Sequence, residues 1–150
     1  NFSTGSAMVI AQYYAFVRFG KEGYRRVMEI MRENAEVLAA DIEGTGKFQI
    51  IGAGEETLPL VAFNFAEEQP YDEFDVAFQL AAERGWMVPA YTMPPNAQKV
   101  KMMRALVKLN LSRSLINALA DDIRGALKTL EKKGPVSESE RKRVKTSVSH

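Results

Sequence analysis

Apolar residues occupy nearly every side of the segment 6–19, which predicts a helix that is buried all round or pressed against a partner subunit. Gly20 interrupts this segment. Over residues 21–42 the apolar positions recur every three or four residues with charged residues between them, which predicts a long amphipathic helix. Gly44 and Gly46 follow and are expected to end that helix.

Short alternating runs then predict strands. Phe48 to Ile51 and Leu58 to Phe65 indicate the first two, and the extended stretch from Trp86 to Pro89 precedes the last, from Lys99 to Leu109. Within that last run successive side chains should point to opposite faces. One face is predicted to carry Met103, Ala105, Val107 and Leu109, and the other Met102, Arg104 and Leu106.

Two more helices complete the pattern. Asp72 is a predicted N-cap, and Gly85 a predicted stop, for a helix that carries Phe74, Ala77, Phe78 and Ala81. Ser112 is a predicted N-cap for a helix that presents Leu115, Leu119, Ile123, Leu127 and Leu130, has Asp121 and Asp122 on its outer face, and ends at Gly134 and Pro135. The order of elements favours an α+β fold, a small antiparallel sheet with helices packed on one face.

Composition narrows the possible functions. The 150 residues are 46% hydrophobic and 26% charged, enough for one core of ordinary size. The net charge of +1 and the lack of any nucleic-acid-binding motif predict no nucleic acid partner. Cysteine is absent and His150 is the only histidine, so disulfides, thiol catalysis and metal sites of the usual zinc type are not expected. No apolar run is long enough to span a membrane, and a reduced, cytoplasmic setting is the simplest prediction.

Arg104 is the candidate binding residue, because a guanidinium between Met102 and Leu106 needs an anionic partner. It could form a structural ion pair, or reach solvent from an edge strand. It could instead clamp the carboxylate of a ligand through two parallel hydrogen bonds. The pattern alone leaves these alternatives open.

Several segments resemble the carboxyl-terminal third of the glutamate decarboxylase family, pyridoxal-phosphate enzymes of the aspartate aminotransferase-like fold (fold type I). They are NFST with the AQYY helix, the FGKEGY turn, TLPLVAFNF, RGWMVPAYTMPPNA, the MMR strand and LSRSLINALADDI. The resemblance covers nearly all of residues 1 to 133. It implies that Arg104 holds the α-carboxylate of the substrate, and that Phe2 and Ser3 reach the cofactor phosphate of the neighbouring subunit in a homodimer or higher homo-oligomer.

The resemblance also bears on the chain ends. Some bacterial members have a histidine near the carboxyl terminus that gates the active site with pH, so His150 is a possible pH gate. Plant relatives bind calmodulin through a basic tail, but calmodulin is not expected here because no aromatic residue or leucine follows Leu130. Met93, Pro94 and Pro95, beside Tyr91, could line the substrate cavity or form a packed turn.

The Schiff-base lysine of the family lies in a Ser-x-His-Lys motif, which this sequence lacks. The chain begins at Asn1 and is expected to be a fragment: residues 1–20 a helix that enters from a missing cofactor-binding domain, 21–133 the small carboxyl-terminal domain, and 134–150 a flexible basic tail. The resemblance predicts the conversion of L-glutamate to 4-aminobutanoate and CO2 by the complete enzyme. The alternatives are another pyridoxal-phosphate-dependent amino-acid decarboxylase or lyase, or a non-catalytic interaction module.

Overall fold

The computed structural model describes residues 5–52, 58–137 and 140. The elements follow the predicted order, except that the two helices predicted on either side of Gly20 form one kinked helix and that the third strand is Ala90–Thr92 instead of the predicted stretch from Trp86 to Pro89. The elements are α1 (Ser6–Glu43), β1 (Phe48–Ile51), β2 (Leu60–Phe65), α2 (Glu73–Arg84), β3 (Ala90–Thr92), β4 (Lys101–Leu106) and α3 (Arg113–Lys133). Strand β2 begins two residues later than predicted, and β4 is shorter than the predicted run at both ends.

The four strands form one antiparallel sheet in the order β1-β2-β4-β3. Residues that pair across neighbouring strands lie on the same face of a sheet, so the register defines two faces. The covered face consists of Phe48, Ile50, Val61, Phe63, Phe65, Ala90, Met103 and Ala105. The open face consists of Gln49, Ile51, Leu60, Ala62, Asn64, Tyr91, Met102, Arg104 and Leu106.

Helices α1 and α2 pack directly against the sheet, and α3 packs against both of these helices. Side chains from the covered face and from all three helices form one hydrophobic core. Its most completely buried large members are Leu38, Ile42, Phe63, Val76, Leu80, Met103, Val107, Ile116, Ile123 and Leu130. The predicted α+β architecture, an antiparallel sheet with helices on one face, is therefore confirmed.

The kink in α1 lies where the pattern of apolar residues changes. Gly20 has φ 55° and ψ −174°, a conformation that is accessible to glycine and strained for other residues. Before this kink the apolar side chains are exposed, and Met8 and Tyr13 keep 78% and 68% of their surface accessible. The prediction that the segment is buried within the chain is wrong, because no described element packs over these side chains; contact with a partner subunit stays a prediction.

Helix α2 is held at both ends by the predicted caps. The side chain of Asp72 accepts a hydrogen bond from the Asp75 amide, and that of Asp75 accepts one from the Asp72 amide. Gly85 ends the helix in the left-handed conformation. The second carboxylate oxygen of Asp75 accepts a hydrogen bond from the Val136 amide at 3.0 Å, and only 1% of Asp75 is exposed.

The most buried apolar residues of α2 are not the ones that the sequence pattern singled out. Val76 and Leu80 are its fully buried apolar residues, whereas the predicted set is only half-buried: Phe74, Ala77, Phe78 and Ala81. Asp75 also faces inward, next to Val76, and its carboxylate accepts the hydrogen bond of the Val136 amide inside the fold.

Helix α3 begins at Ser112, whose hydroxyl accepts a hydrogen bond from the Leu115 amide, as predicted. Leu115 itself is 42% exposed and was wrongly expected in the core. Asp122 was wrongly placed on the outer face: its carboxylate accepts a hydrogen bond from Trp86 Nε1 at 2.8 Å and pairs with Arg84 at 3.2 Å. Both partners come from the segment at the end of α2, so the pattern of α3 alone could not show them.

Candidate functional site

Arg104 lies on β4, opposite Ala62 of β2, and its side chain is exposed on the open face. The predicted direction of this side chain is confirmed, since Met103 and Ala105 on either side of it are buried. The suggestion of an edge strand is wrong, because β4 has β2 on one side and β3 on the other. The Arg104 amide donates a hydrogen bond to the Pro89 carbonyl at 3.1 Å, which fixes the backbone at this position.

The guanidinium of Arg104 contacts a tyrosine rather than a carboxylate. Its Nη2 donates a hydrogen bond to the Tyr91 hydroxyl at 3.1 Å, and its Cζ lies 5.0 Å from the centre of the Tyr91 ring. Within residues 5–52, 58–137 and 140, Arg104 forms no ion pair. The alternative of a structural ion pair therefore finds no support in the described part of the chain, and most of the five guanidinium N–H donors are left for another acceptor.

A pocket of about 570 Å³ adjoins Arg104. Its floor and walls are mainly apolar and include Leu60, Trp86, Val88, Leu106 and Leu119. Tyr91 lines this pocket, whereas the neighbouring residues Met93, Pro94 and Pro95 are not among its described lining. Of these four residues, only Tyr91 therefore lies at the Arg104 pocket.

The charges of this pocket have one sign. Arg104 and Lys108 line it, and no aspartate or glutamate does so among the described residues. Lys108 was not predicted as a site residue, although it follows Arg104 by four positions, which is the spacing of side chains on one face of a strand. Two cations on an apolar lining suit an anionic ligand, and a guanidinium binds a carboxylate in the most favourable geometry, through two parallel N–H donors.

Two other lysines, one on β4 and one just before β1, form ion pairs outside the pocket. Lys101 pairs with Asp72 at 2.7 Å, and Lys47 pairs with Glu131 at 3.1 Å. The hydrogen bond from Glu131 raises the pKa of Lys47, so this amine is held in its charged form and is a poor nucleophile. Neither lysine lines the Arg104 pocket.

Three residues singled out from the sequence lie outside the described residues: Phe2 and Ser3 at the amino terminus, and His150 at the carboxyl terminus. Their predicted roles stay predictions. In the described part of the chain no three metal-ligating side chains come together, and no helix combines the length and apolar character that crossing a bilayer requires.

Comparisons with known proteins agree with the resemblance seen in the sequence. Residues 1–66 match the family model described as "Pyridoxal-dependent decarboxylase conserved domain". Glutamate decarboxylase of Petunia hybrida is 47% identical over 131 residues, which are 87% of this chain and 26% of that protein. Glutamate decarboxylase of Aliivibrio fischeri is 35% identical over 126 residues, with coverages of 83% and 27%. The chain thus spans about a quarter of the length of the curated relatives it matches.

Solved structures share the fold. Glutamate decarboxylase of Lactobacillus brevis CGMCC 1306 superposes with a TM-score of 0.82 and 31% identity, over 91% of this chain and 31% of that one. A sphingosine-1-phosphate lyase of Burkholderia pseudomallei K96243 superposes with a TM-score of 0.68 at 16% identity, over 97% of this chain and 29% of that one, and shows the fold alone. Residues 1–66 thus match the pyridoxal-dependent decarboxylase family, and the chain is similar in sequence and in fold to one part of glutamate decarboxylases.

Proposed function

We propose that this chain is the carboxyl-terminal part of a glutamate decarboxylase, which converts L-glutamate to 4-aminobutanoate and CO2 with pyridoxal phosphate. The observation that carries the proposal is the exposed guanidinium of Arg104, which lies beside an apolar pocket without a described carboxylate partner. Relatives from plants and bacteria that bear the name glutamate decarboxylase support the same substrate.

The role of Arg104 in this proposal is to bind the α-carboxylate of glutamate. A carboxylate held by the guanidinium fork fixes the direction of the bond from the α-carbon to that carboxylate, which is the bond to be broken. Lys108, on the rim of the same pocket, adds positive charge that attracts an anionic substrate. Once the rest of the enzyme covers the pocket, the apolar lining excludes water and so strengthens both electrostatic interactions.

The described residues fit the substrate side of such a site rather than the cofactor side. Lys108 lines the pocket but lacks the adjacent histidine of the family's cofactor lysine, so that lysine belongs to a part of the enzyme outside this sequence. Ser3 is proposed to hold the cofactor phosphate of a neighbouring subunit. Bound pyridoxal phosphate supplies the electron-withdrawing ring that decarboxylation of an amino acid requires.

In the same proposal, the rest of the enzyme covers the open face of the sheet. The matched relatives are about four times as long as the matched segment, and their remaining length is available to close the pocket. The exposed apolar side chains of residues 8–19 support a homodimer or a higher homo-oligomer, since apolar patches of this kind mark protein interfaces. The cytoplasmic location stays a prediction.

The test is the substitution Arg104→Lys in the full-length enzyme. An ammonium retains the charge but cannot form two parallel hydrogen bonds, so we expect kcat/KM for L-glutamate to fall on the order of 100-fold while the absorbance of bound cofactor is retained. Arg26→Lys, at an exposed arginine of α1 that pairs with Glu22, is the matched control and should leave kinetics unchanged. Unaltered kinetics in the Arg104 variant would dismiss the clamp.

A comparison of substrates separates the proposed reaction from its alternatives. The full-length enzyme should release CO2 from L-glutamate faster than from L-aspartate or from aromatic amino acids. Preference for another amino acid would retain the role of Arg104 but assign a different decarboxylase. No release of CO2 from any of them, with the cofactor bound, would refute the proposed reaction.

A further inference from the structure

Among the described residues, Tyr91 is the side chain that forms a hydrogen bond and a cation–π contact with the guanidinium of Arg104. It lies in the middle of β3, where its backbone is opposite Met102 of β4. Arg104 is two residues farther along β4, so Tyr91 and Arg104 are diagonal neighbours on the open face, a separation that long side chains can bridge. The register between β3 and β4 therefore brings the two residues together.

Two separate contacts join these side chains. The hydroxyl of Tyr91 accepts a hydrogen bond from Nη2, and the ring lies within cation–π distance of the guanidinium carbon. An arginine on an exposed sheet face has many rotamers of similar energy, and a ligand must otherwise select one of them at an entropic cost. A guanidinium that is already fixed before binding avoids this cost.

Tyr91 is itself fixed. Its ring is half-buried in the lining of the pocket, and β3 is held against β4 by backbone pairing at Ala90, Tyr91 and Thr92. The tyrosine is thus anchored in the sheet, while the arginine side chain is exposed. The more rigid partner determines the orientation of the more mobile one.

We propose that Tyr91 is a positioning residue for substrate binding: it holds the Arg104 guanidinium in the orientation that receives the α-carboxylate of the amino acid. This inference rests on the proposed function, since it deepens the role of the same site. It predicts that Tyr91 affects ligands only through their α-carboxylate.

The experiment compares two ligands in the full-length holoenzyme. L-Glutamate has an α-carboxylate, and 4-aminobutanoate, used as a competitive inhibitor, has none. Tyr91→Phe removes the hydroxyl and keeps the ring, and we expect it to raise KM for L-glutamate about 3- to 10-fold, with kcat changed less than 2-fold. Tyr91→Leu removes both contacts and should raise KM about 10- to 30-fold. The inhibition constant of 4-aminobutanoate should stay within about 2-fold in both variants.

Tyr71→Phe is the matched control. The Tyr71 hydroxyl is buried and has no hydrogen-bond partner among the described residues, and burial raises its pKa, so it is neutral at the pH of the assay. Its ring packs on Phe65 and does not line the Arg104 pocket. Loss of this hydroxyl should therefore leave both KM and the inhibition constant unchanged.

The Arg104→Lys background makes the test specific. Once the guanidinium fork is gone, Tyr91→Phe should add less than 2-fold to KM, so the two substitutions should be clearly non-additive. An equal rise in KM and in the inhibition constant, no change in either, or full additivity would each overturn the role of Tyr91. If Arg104→Lys alone leaves KM and kcat unchanged, the proposed clamp fails; if it impairs the enzyme while Tyr91→Phe does not, only the positioning role fails.

Discussion

The two faces of the sheet have opposite characters, although the same strands form both. On β4 the side chains of Met103 and Ala105 are buried under the helices, whereas Arg104 and Leu106, which alternate with them, are exposed. Because the side-chain period of a strand is two residues, one strand contributes to the core with one set of positions and to a binding surface with the other. The rigidity of the core is thereby available to the site without an intervening loop.

The largest expected difference between the two faces is in the stability lost on truncating two adjacent methionines of β4. Met103 has 0% exposed surface, while Met102 is half-buried on the open face. We expect Met103→Ala to lower the free energy of unfolding by about 2–5 kcal/mol, because it leaves a cavity in the core. Met102→Ala should cost less than about 1 kcal/mol. Urea unfolding of both variants measures the difference, and equal losses would contradict the assignment of the faces.

A second, smaller loss of stability is expected at Asp75, which helps to hold α2 on the covered face of the sheet. Asp75 caps α2 and also accepts the Val136 amide, and it is almost fully buried. Asp75→Ala leaves both backbone amides without their carboxylate partner, and we expect a loss of about 1–3 kcal/mol in thermal unfolding. Asp121→Ala, at an exposed position of α3, is the control and should change stability by less than about 0.5 kcal/mol. Similar melting temperatures for the two variants would show that the cap does not hold the cover in place.

The smallest expected effect is that of a substitution at Leu106, on the open face of the sheet. Leu106 is 54% exposed, so Leu106→Gln should change the stability of this chain by less than about 0.5 kcal/mol. In the full-length enzyme, where the proposal covers this face, the same substitution buries an amide and should cost about 1–3 kcal/mol. Denaturant unfolding of the two proteins tests this, and an identical small effect in both would argue that the open face stays exposed in the enzyme.

Local signals in the sequence were sufficient for the order of the elements and for most of their ends. Asp72, Ser112 and Gly85 act through residues within four positions of themselves, so their roles can be predicted without knowing the tertiary structure. The alternation of β4 likewise placed Arg104 on the face opposite Met103 and Ala105. These predictions depend only on the period of the element concerned.

Contacts between distant segments could not be predicted in the same way. The buried Asp75 accepts a hydrogen bond from an amide 61 residues away, and the half-buried Asp122 accepts one from Trp86, 36 residues away. The contact of Tyr91 with Arg104 depends on the register of β3 against β4, which the sequence pattern of either strand leaves open. Tyr91 was visible in the sequence only as a neighbour of a proline-rich loop.

At Gly20 the backbone takes a conformation that a side chain would oppose, so the two segments of α1 that meet there need not share one direction. The helical segment before this glycine contributes no residue to the hydrophobic core, so its direction relative to the rest of α1 depends on the φ and ψ angles of Gly20 rather than on core packing. The core can therefore keep its packing whatever surface this segment meets. Gly20 thus sets the direction in which the exposed apolar segment leaves the rest of the structure.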